Sequence, residues 1–189
     1  LAQSATIAQG ISGGGGLVLD GTSESYVTIP SEALTGLEDY TISAWIKPDV
    51  KDNTQRVFDF GTGTGRYMFL TPYYGANHLR GAITAGSYDY EKGVSLDVDI
   101  ETGRWTHLVM MQEGDVMRIY IDGVLSGEIA GVERVFDTDH VEILPIVGVT
   151  DGDVSRHGGC DSDHAGGVLG AVKDVIHDLE AELHVLRGV

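Results

Sequence analysis

Paired tyrosines in two short polar stretches, residues 71–78 and 87–91, are the side chains of this sequence best suited to bind a ligand. Planar aromatic rings stack on the face of a sugar ring, while amide, carboxylate and guanidinium groups form hydrogen bonds with its hydroxyls. The predicted ligand-binding residues are Arg66, Tyr73, Tyr74, Asn77, His78, Tyr88 and Tyr90. The plainer alternative is that one tyrosine of each pair packs inward and only the other stays exposed.

Two pairs of acids, Asp89 with Glu91 and Asp97 with Asp99, have the residue types that a glycosidase uses. Acids two residues apart are common on the wet face of a strand, and this chain has 29 Asp and Glu residues. The spacing is therefore no evidence of catalysis, and we expect the domain itself to be non-catalytic.

Residue types that bind metals are densest in the glycine- and aspartate-rich segment 150–167. They are His157, Cys160, Asp161, Asp163 and His164. Zinc needs three or four convergent ligands, and neither a second cysteine nor a closely spaced histidine pair supports it. A solvated loop is favoured there, with weak metal binding or contact with a sugar as the alternative. Calcium suits this chain better, because carboxylates are abundant and carbonyls of glycine-rich turns can complete its shell.

The charge balance excludes one class of partner. Twelve Lys and Arg against 29 Asp and Glu give a formal net charge of −17, which opposes binding to the phosphate backbone of nucleic acids. No apolar run is long enough to cross a bilayer, so we expect no membrane insertion. The sequence shows no signal peptide and lacks an initiator Met, which suggests a piece excised from a longer chain.

Short strands are the elements that must position these side chains. Residues 40–47 alternate cleanly between two faces, and residues 105–111 and 116–121 flank a short turn, which predicts a hairpin followed by a tight turn at Asp122-Gly123. Further strands are predicted at 17–19, 26–29, 56–60, 67–70, 78–84, 94–98, 124–129, 141–149 and 170–176. Their close spacing and turn-rich joins favour antiparallel strands, and the 27 glycines favour a loop-rich all-β architecture.

Two further structural predictions concern large apolar residues. Trp45 and Trp105 lie inside strand patterns, so we predict that both belong to the core. Residues 178–186 are predicted to form a short terminal helix, because Leu179, Leu183 and Leu186 keep helical spacing.

Five sequence blocks carry a family resemblance. They are LVLDGT (17–22), YVTIP (26–30), DYTISAWIKPD (39–49), GRWTHLVMMQEGDVMRIYIDG (103–123) and GAVKDVIHD (170–178). In order and separation the first four resemble the laminin G-like, concanavalin A-like jelly-roll modules of bacterial extracellular proteins. The last block departs from the family pattern, with His177 where a tyrosine is usual.

The resemblance implies an all-β fold, an antiparallel two-sheet β-sandwich of the concanavalin A-like jelly-roll type. We expect a single domain over residues 1–189, with 1–16 as a glycine-rich opening segment. The resemblance also implies a structural calcium near the first and last strands, with Asp20 and Asp174 as its candidate ligands. A turn or N-cap role is the alternative for both. The implied location is extracellular or at the cell surface.

Three classes of function are compatible with these features. The favoured one is a non-catalytic recognition module that binds carbohydrate and belongs to a larger secreted bacterial protein such as a glycoside hydrolase. Its partners would be an oligosaccharide or polysaccharide and other domains of the parent chain. The alternatives are an adhesion or structural domain that contacts protein, and a small hydrolase or lyase acting on polysaccharide.

Overall fold

The fold consists of antiparallel strands. The computed structural model describes residues 2–3, 5–11, 13–19, 26–29, 34, 36–53, 55–62, 64–75, 78–136, 146–148 and 184–187. The strands are β1 (Ala2–Gln3), β2 (Ala5–Gln9), β3 (Gly15–Leu19), β4 (Tyr26–Thr28), β5 (Tyr40–Ile46), β6 (Phe58–Thr62), β7 (Arg66–Tyr74), β8 (His78–Thr84), β9 (Lys92–Leu96), β10 (Thr106–Glu113), β11 (Val116–Ile121), β12 (Val124–Ala130), β13 (Ile146–Gly148) and β14 (His184–Arg187). Within these residues the only helical element is a 3₁₀ turn at Tyr88–Tyr90.

The strands form two main sheets. The larger sheet has the order β1-β4-β13-β6-β7-β8-β9, the smaller has the order β12-β11-β10-β5-β14, and β2 and β3 form a separate ribbon. Every neighbouring pair is antiparallel. The predicted two-sheet antiparallel sandwich is therefore confirmed.

The core lies between the two sheets. In β5 the buried residues Tyr40, Ile42, Ala44 and Ile46 alternate with partly exposed ones, as the sequence pattern predicts. The sheets approach closely beside Gly81 of β8, where an added Cβ would lie 2.7 Å from the Cδ1 of Ile119 in the opposite sheet. Glycine at this position leaves the space that the isoleucine fills.

The predicted hairpin is also confirmed. Glu113 of β10 pairs with Val116 of β11, which leaves Gly114 and Asp115 as a two-residue turn. The turn into β12 uses Asp122 and Gly123, whose φ angles of 48° and 80° suit the type I′ turn that matches the twist of a hairpin.

The prediction that Trp45 and Trp105 belong to the core is wrong. Both side chains are only partly buried, because Ala44, Ile46 and Thr106 take the neighbouring inward positions. The Trp45 ring stacks on His107 with 4.8 Å between ring centroids.

Near the C-terminus, a strand lies where a helix was predicted. His184–Arg187 forms β14 and pairs with β5, so the helix predicted over 178–186 is wrong at residues 184–186. The edge of β5 offers unpaired N–H and C=O groups, and pairing with them outweighs the helical spacing of the leucines. Residues 178–183 and the strand predicted at 170–176 lie outside the described residues. No helix in the described part of the chain has the length and apolar character needed to cross a membrane.

A candidate ligand-binding surface

Strands β8 and β9 carry a polar surface on the outer side of the larger sheet. Leu79 and Ile83 of β8 belong to the core, so the alternation of the strand turns His78, Arg80 and Ala82 outward. Ser95 of β9 pairs with Arg80. We call this region the β8–β9 surface, made of Tyr74, His78, Arg80, Tyr88, Tyr90, Glu91 and Ser95.

Arg80 is the centre of the β8–β9 surface. Its Nη1 donates to the Oγ of Ser95 over 2.8 Å, and its Nη2 donates to the Oε1 of Glu91 over 2.5 Å. Its guanidinium carbon also lies 5.2 Å from the ring centroid of Tyr74, within range of a cation–π contact. Arg80 thus links the tyrosine stretch before β8 with the one that follows it.

Glu91 is held in place from two sides. Besides the Arg80 contact, its Oε2 accepts a hydrogen bond of 2.5 Å from the hydroxyl of Tyr67. Burial raises the pKa of Tyr67, and the hydrogen bond and negative charge of Glu91 raise it further, so the phenol stays a neutral donor. The Glu91 side chain is only 8% exposed, so this carboxylate has a fixed orientation.

A glycine makes room for the arginine. A Cβ added at Gly93 would lie 2.9 Å from the Nη2 of Arg80 and 3.0 Å from the carbonyl oxygen of Gly81. The guanidinium group therefore passes over the backbone of β9 only because residue 93 has no side chain.

The four tyrosines predicted to bind a ligand differ in how far they are buried. Tyr88 and Tyr90 are 47% and 68% exposed, and Tyr74 is partly buried beside Arg80. Tyr73 is 2% exposed, and its hydroxyl donates to the carbonyl of Ile100 over 2.7 Å. Its prediction as a ligand residue is therefore wrong: β7 continues to Tyr74 through an irregularity after Thr71 that turns Tyr73 into the core. One tyrosine of the first pair packs inward, whereas both of the second pair remain exposed.

The remaining predicted residues are spread more widely. His78 pairs with Tyr74 across the β7–β8 turn, and its Nδ1 lies 3.8 Å from the Oδ1 of Asp97. The Nη1 of Arg66 donates to the carbonyl of Val135 over 3.1 Å, a contact that ties β7 to the chain after β12. Asn77 lies outside the described residues.

Sequence reasoning missed Arg80 and Ser95 as parts of this surface, and Tyr67 as a hydrogen-bond donor to Glu91. A signal for Arg80 was present: one arginine stands at an outward position inside the otherwise apolar run LRGAI, residues 79–83. Nothing local in the sequence identifies Ser95 or Tyr67, because strand pairing is what brings Ser95 to Arg80 and Tyr67 to Glu91.

The predicted metal positions are not tested by this geometry. Asp20, Asp174 and the segment 150–167 all lie outside the described residues. Among the residues that are described, no group of three or more His, Cys, Asp or Glu side chains could hold a metal ion. Of the acids considered for catalysis, Glu91 is bonded to Arg80 and Tyr67, and Asp99 is paired with Lys51.

Comparisons with known proteins define the family and the fold. Residues 20–159 match a laminin G family model described as the concanavalin A-like lectin/glucanases superfamily. A search of curated proteins found no match.

Solved structures with the same fold come from several sources. Domain 4 of the extracellular GH43 arabinanase AbnA from Geobacillus stearothermophilus, in complex with arabinotriose, has a TM-score of 0.71 at 22% identity, covering 98% of this chain and 76% of that chain. The CBM40 of a Ruminococcus gnavus sialidase, bound to α2,3-sialyllactose, has a TM-score of 0.64 at 14% identity. The match covers 100% of this chain and 92% of that chain. The enzymatically active domain of a tailspike protein from bacteriophage CBA120 has a TM-score of 0.57 at 11% identity. The match covers 97% of this chain and 27% of that chain. The predicted concanavalin A-like jelly roll is confirmed.

Proposed function

Because the chain belongs to the concanavalin A-like lectin/glucanases superfamily, we propose that it is a carbohydrate-binding module that binds its ligand at the β8–β9 surface. The observation that supports this most is the exposure of Tyr88 and Tyr90. These residues immediately precede Glu91 in the sequence, and a hydrogen bond from Arg80 fixes the Glu91 carboxylate. Large exposed aromatic side chains beside ordered polar groups mark a binding site.

The surface has the two kinds of contact that a sugar requires. The exposed rings of Tyr88 and Tyr90 offer flat apolar faces for stacking, and water leaves these faces when a sugar covers them. Arg80 has N–H groups beyond the two that bond Ser95 and Glu91, and these can donate to sugar hydroxyls. Since Arg80 and Glu91 are already held by their neighbours, little side-chain entropy is lost on binding.

The module is non-catalytic in this proposal. A retaining or inverting glycosidase needs two carboxyl groups that are available to the scissile bond. Glu91, the acid that belongs to the β8–β9 surface, is largely buried and bonded to Arg80 and Tyr67. A binding role is also supported by the solved arabinanase domain and sialidase CBM40, whose structures contain arabinotriose and sialyllactose.

We extend the proposal to the biological setting of the module. It belongs to a larger secreted bacterial protein, such as a glycoside hydrolase, whose catalytic domain it holds near a polysaccharide. Recovery of the full-length protein from culture supernatant with a catalytic domain on the same chain is the expected result. A chain that remains inside the cell would contradict this setting.

The binding proposal is tested with a glycan array followed by calorimetry on the strongest hit. We expect Tyr90→Ala and Arg80→Ala each to weaken binding at least tenfold, equal to about 1.4 kcal/mol. Leu125→Ala is the matched control, because Leu125 is 50% exposed and lies on the other sheet. Absence of any hit, or equal affinity for all four proteins, would contradict the proposal.

A further inference from the structure

We propose that the β8–β9 surface selects uncharged saccharides and rejects those that carry carboxylate or sulfate groups. This inference rests on the proposed carbohydrate-binding function and adds the chemical class of the ligand. It follows from the contacts of those Lys and Arg side chains that the structure describes and from the negative charge around the surface.

Arg80 already has an anionic partner. Its Nη2 is 2.5 Å from the Oε1 of Glu91, and both side chains are largely buried, with exposed fractions of 20% and 8%. An anionic sugar would have to displace Glu91, which also accepts the hydrogen bond from Tyr67, or sit beside it as a second negative charge. Separating a largely buried pair leaves an uncompensated buried charge, so displacement is unfavourable. A neutral hydroxyl can use the remaining N–H groups of Arg80 without disturbing Glu91.

Other arginines and lysines also form ion pairs with carboxylates. Among the cations whose side chains the structure describes, Lys51, Arg56, Arg104, Arg118 and Arg134 each form an ion pair with a carboxylate. Recognition of a carboxylate or sulfate relies on a bidentate arginine or a clustered positive charge. The cations with described side chains provide neither at the β8–β9 surface.

The remaining described cations have other contacts or point away from the β8–β9 surface. Lys47 lies 5.4 Å from the ring centroid of Trp105, and Arg66 donates to backbone carbonyls. Lys92 is exposed, but it alternates with Gly93 and Ser95 along β9 and so points away from the face that carries Arg80.

Negative charge surrounds the surface. Asp97, with its side chain 96% exposed, lies beside His78, and Asp89 is exposed between Tyr88 and Tyr90. The whole chain carries a formal charge of −17. At physiological ionic strength charges act over about 8 Å, so these acids repel an anionic ligand at contact distance.

The test compares matched sugars on wild-type protein. An array of neutral and acidic oligosaccharides identifies hits, and each hit is titrated beside its charged or uncharged counterpart. Two such pairs are lactose with sialyllactose, and trigalacturonic acid with the same trisaccharide after its carboxylates are reduced to alcohols. We expect neutral members to bind at least tenfold more tightly, with an affinity that is unchanged between about 0.05 and about 0.5 M salt.

The outcomes separate this inference from the function on which it rests. Binding of acidic members as tight as or tighter than neutral ones overturns the selectivity and leaves carbohydrate binding standing. Absence of binding to any sugar overturns both.

A charge variant tests the role of Glu91 directly. Glu91→Gln keeps an acceptor for Tyr67 but removes the charge that occupies Arg80, so the ratio of acidic to neutral affinity should rise at least tenfold. Glu128→Gln is the matched control, because Glu128 pairs with Arg118 on the other sheet and the change in net charge is the same. An equal ratio in Glu91→Gln, Glu128→Gln and wild-type protein would overturn the inference. If Glu91→Gln does not fold, the matched-sugar titrations of wild-type protein still decide.

Discussion

Replacement of Tyr73 by phenylalanine separates a core role from a ligand role for this residue. The Tyr73 hydroxyl donates to the carbonyl of Ile100 over 2.7 Å, and Tyr73 and Ile100 are each only 2% exposed. In Tyr73→Phe the carbonyl loses its partner, and water cannot easily replace it. Losing a buried hydrogen bond in this way costs about 1–3 kcal/mol of unfolding free energy. For a chain of this size that corresponds to a fall in Tm of roughly 2–4 °C per kcal/mol.

The pH dependence of this cost provides a second test. Burial, followed by the negative charge of Asp99, raises the pKa of Tyr73 above its ordinary value. Above pH 10 the unfolded tyrosine ionises while the native one keeps its proton, so the stability of the wild-type protein falls as pH rises. At pH 11 this effect removes about 1.4 kcal/mol for one such tyrosine. Phenylalanine has no proton to lose, so the cost of Tyr73→Phe should shrink by about that amount.

Urea denaturation at pH 7 and pH 11, with calorimetry on the same proteins, measures both effects. We expect Tyr73→Phe to be less stable than wild type at pH 7, to have nearly the wild-type stability at pH 11, and to bind glycan with unchanged affinity. A variant that loses glycan binding while its stability stays at the wild-type value would refute the core assignment. A stability difference that is the same at both pH values would refute the burial argument.

Three further predictions concern packing, the arginine and calcium. Gly81→Ala should lower the unfolding free energy by about 1–3 kcal/mol in urea titrations, because the new methyl group meets Ile119 at 2.7 Å; wild-type stability would contradict the close approach of the sheets. Gly93→Ala should weaken glycan binding at least fivefold and also lower Tm, since its methyl group would meet the guanidinium of Arg80 at 2.9 Å and the carbonyl oxygen of Gly81 at 3.0 Å; unchanged affinity would argue against a role for the Arg80 side chain. If calcium binds at Asp20 and Asp174, excess chelator should lower Tm by mass action, and an identical melting curve would count against the metal.

The strands were largely predictable because alternation is local. The pattern of β5 and the turns around β11 follow directly from apolar spacing and from glycines that adopt positive φ. The same alternation already puts Trp45 on the face opposite Ile42 and Ala44, so the strand pattern is a better guide to its position than the usual burial of tryptophan.

The errors arose where distant pairing decides the structure. The irregularity after Thr71 coincides with Pro72, a residue type that sheets confine to edges and bulges, but the inward turn of Tyr73 depends on how β7 pairs with β8. The ion pair between Arg80 and Glu91 spans 11 residues and depends on the register of β8 with β9 and on the missing side chain of Gly93. At the C-terminus, pairing of β14 with β5 overrides leucine spacing that by itself indicates a helix.

The most direct test of carbohydrate binding at the β8–β9 surface is an NMR titration of ¹⁵N-labelled protein with the strongest array hit. The predicted result is a set of shift changes concentrated at residues 88–95 and at Arg80, with little change on the other sheet. Changes concentrated around Trp45 and His107 on the smaller sheet, with residues 88–95 unaffected, would contradict it.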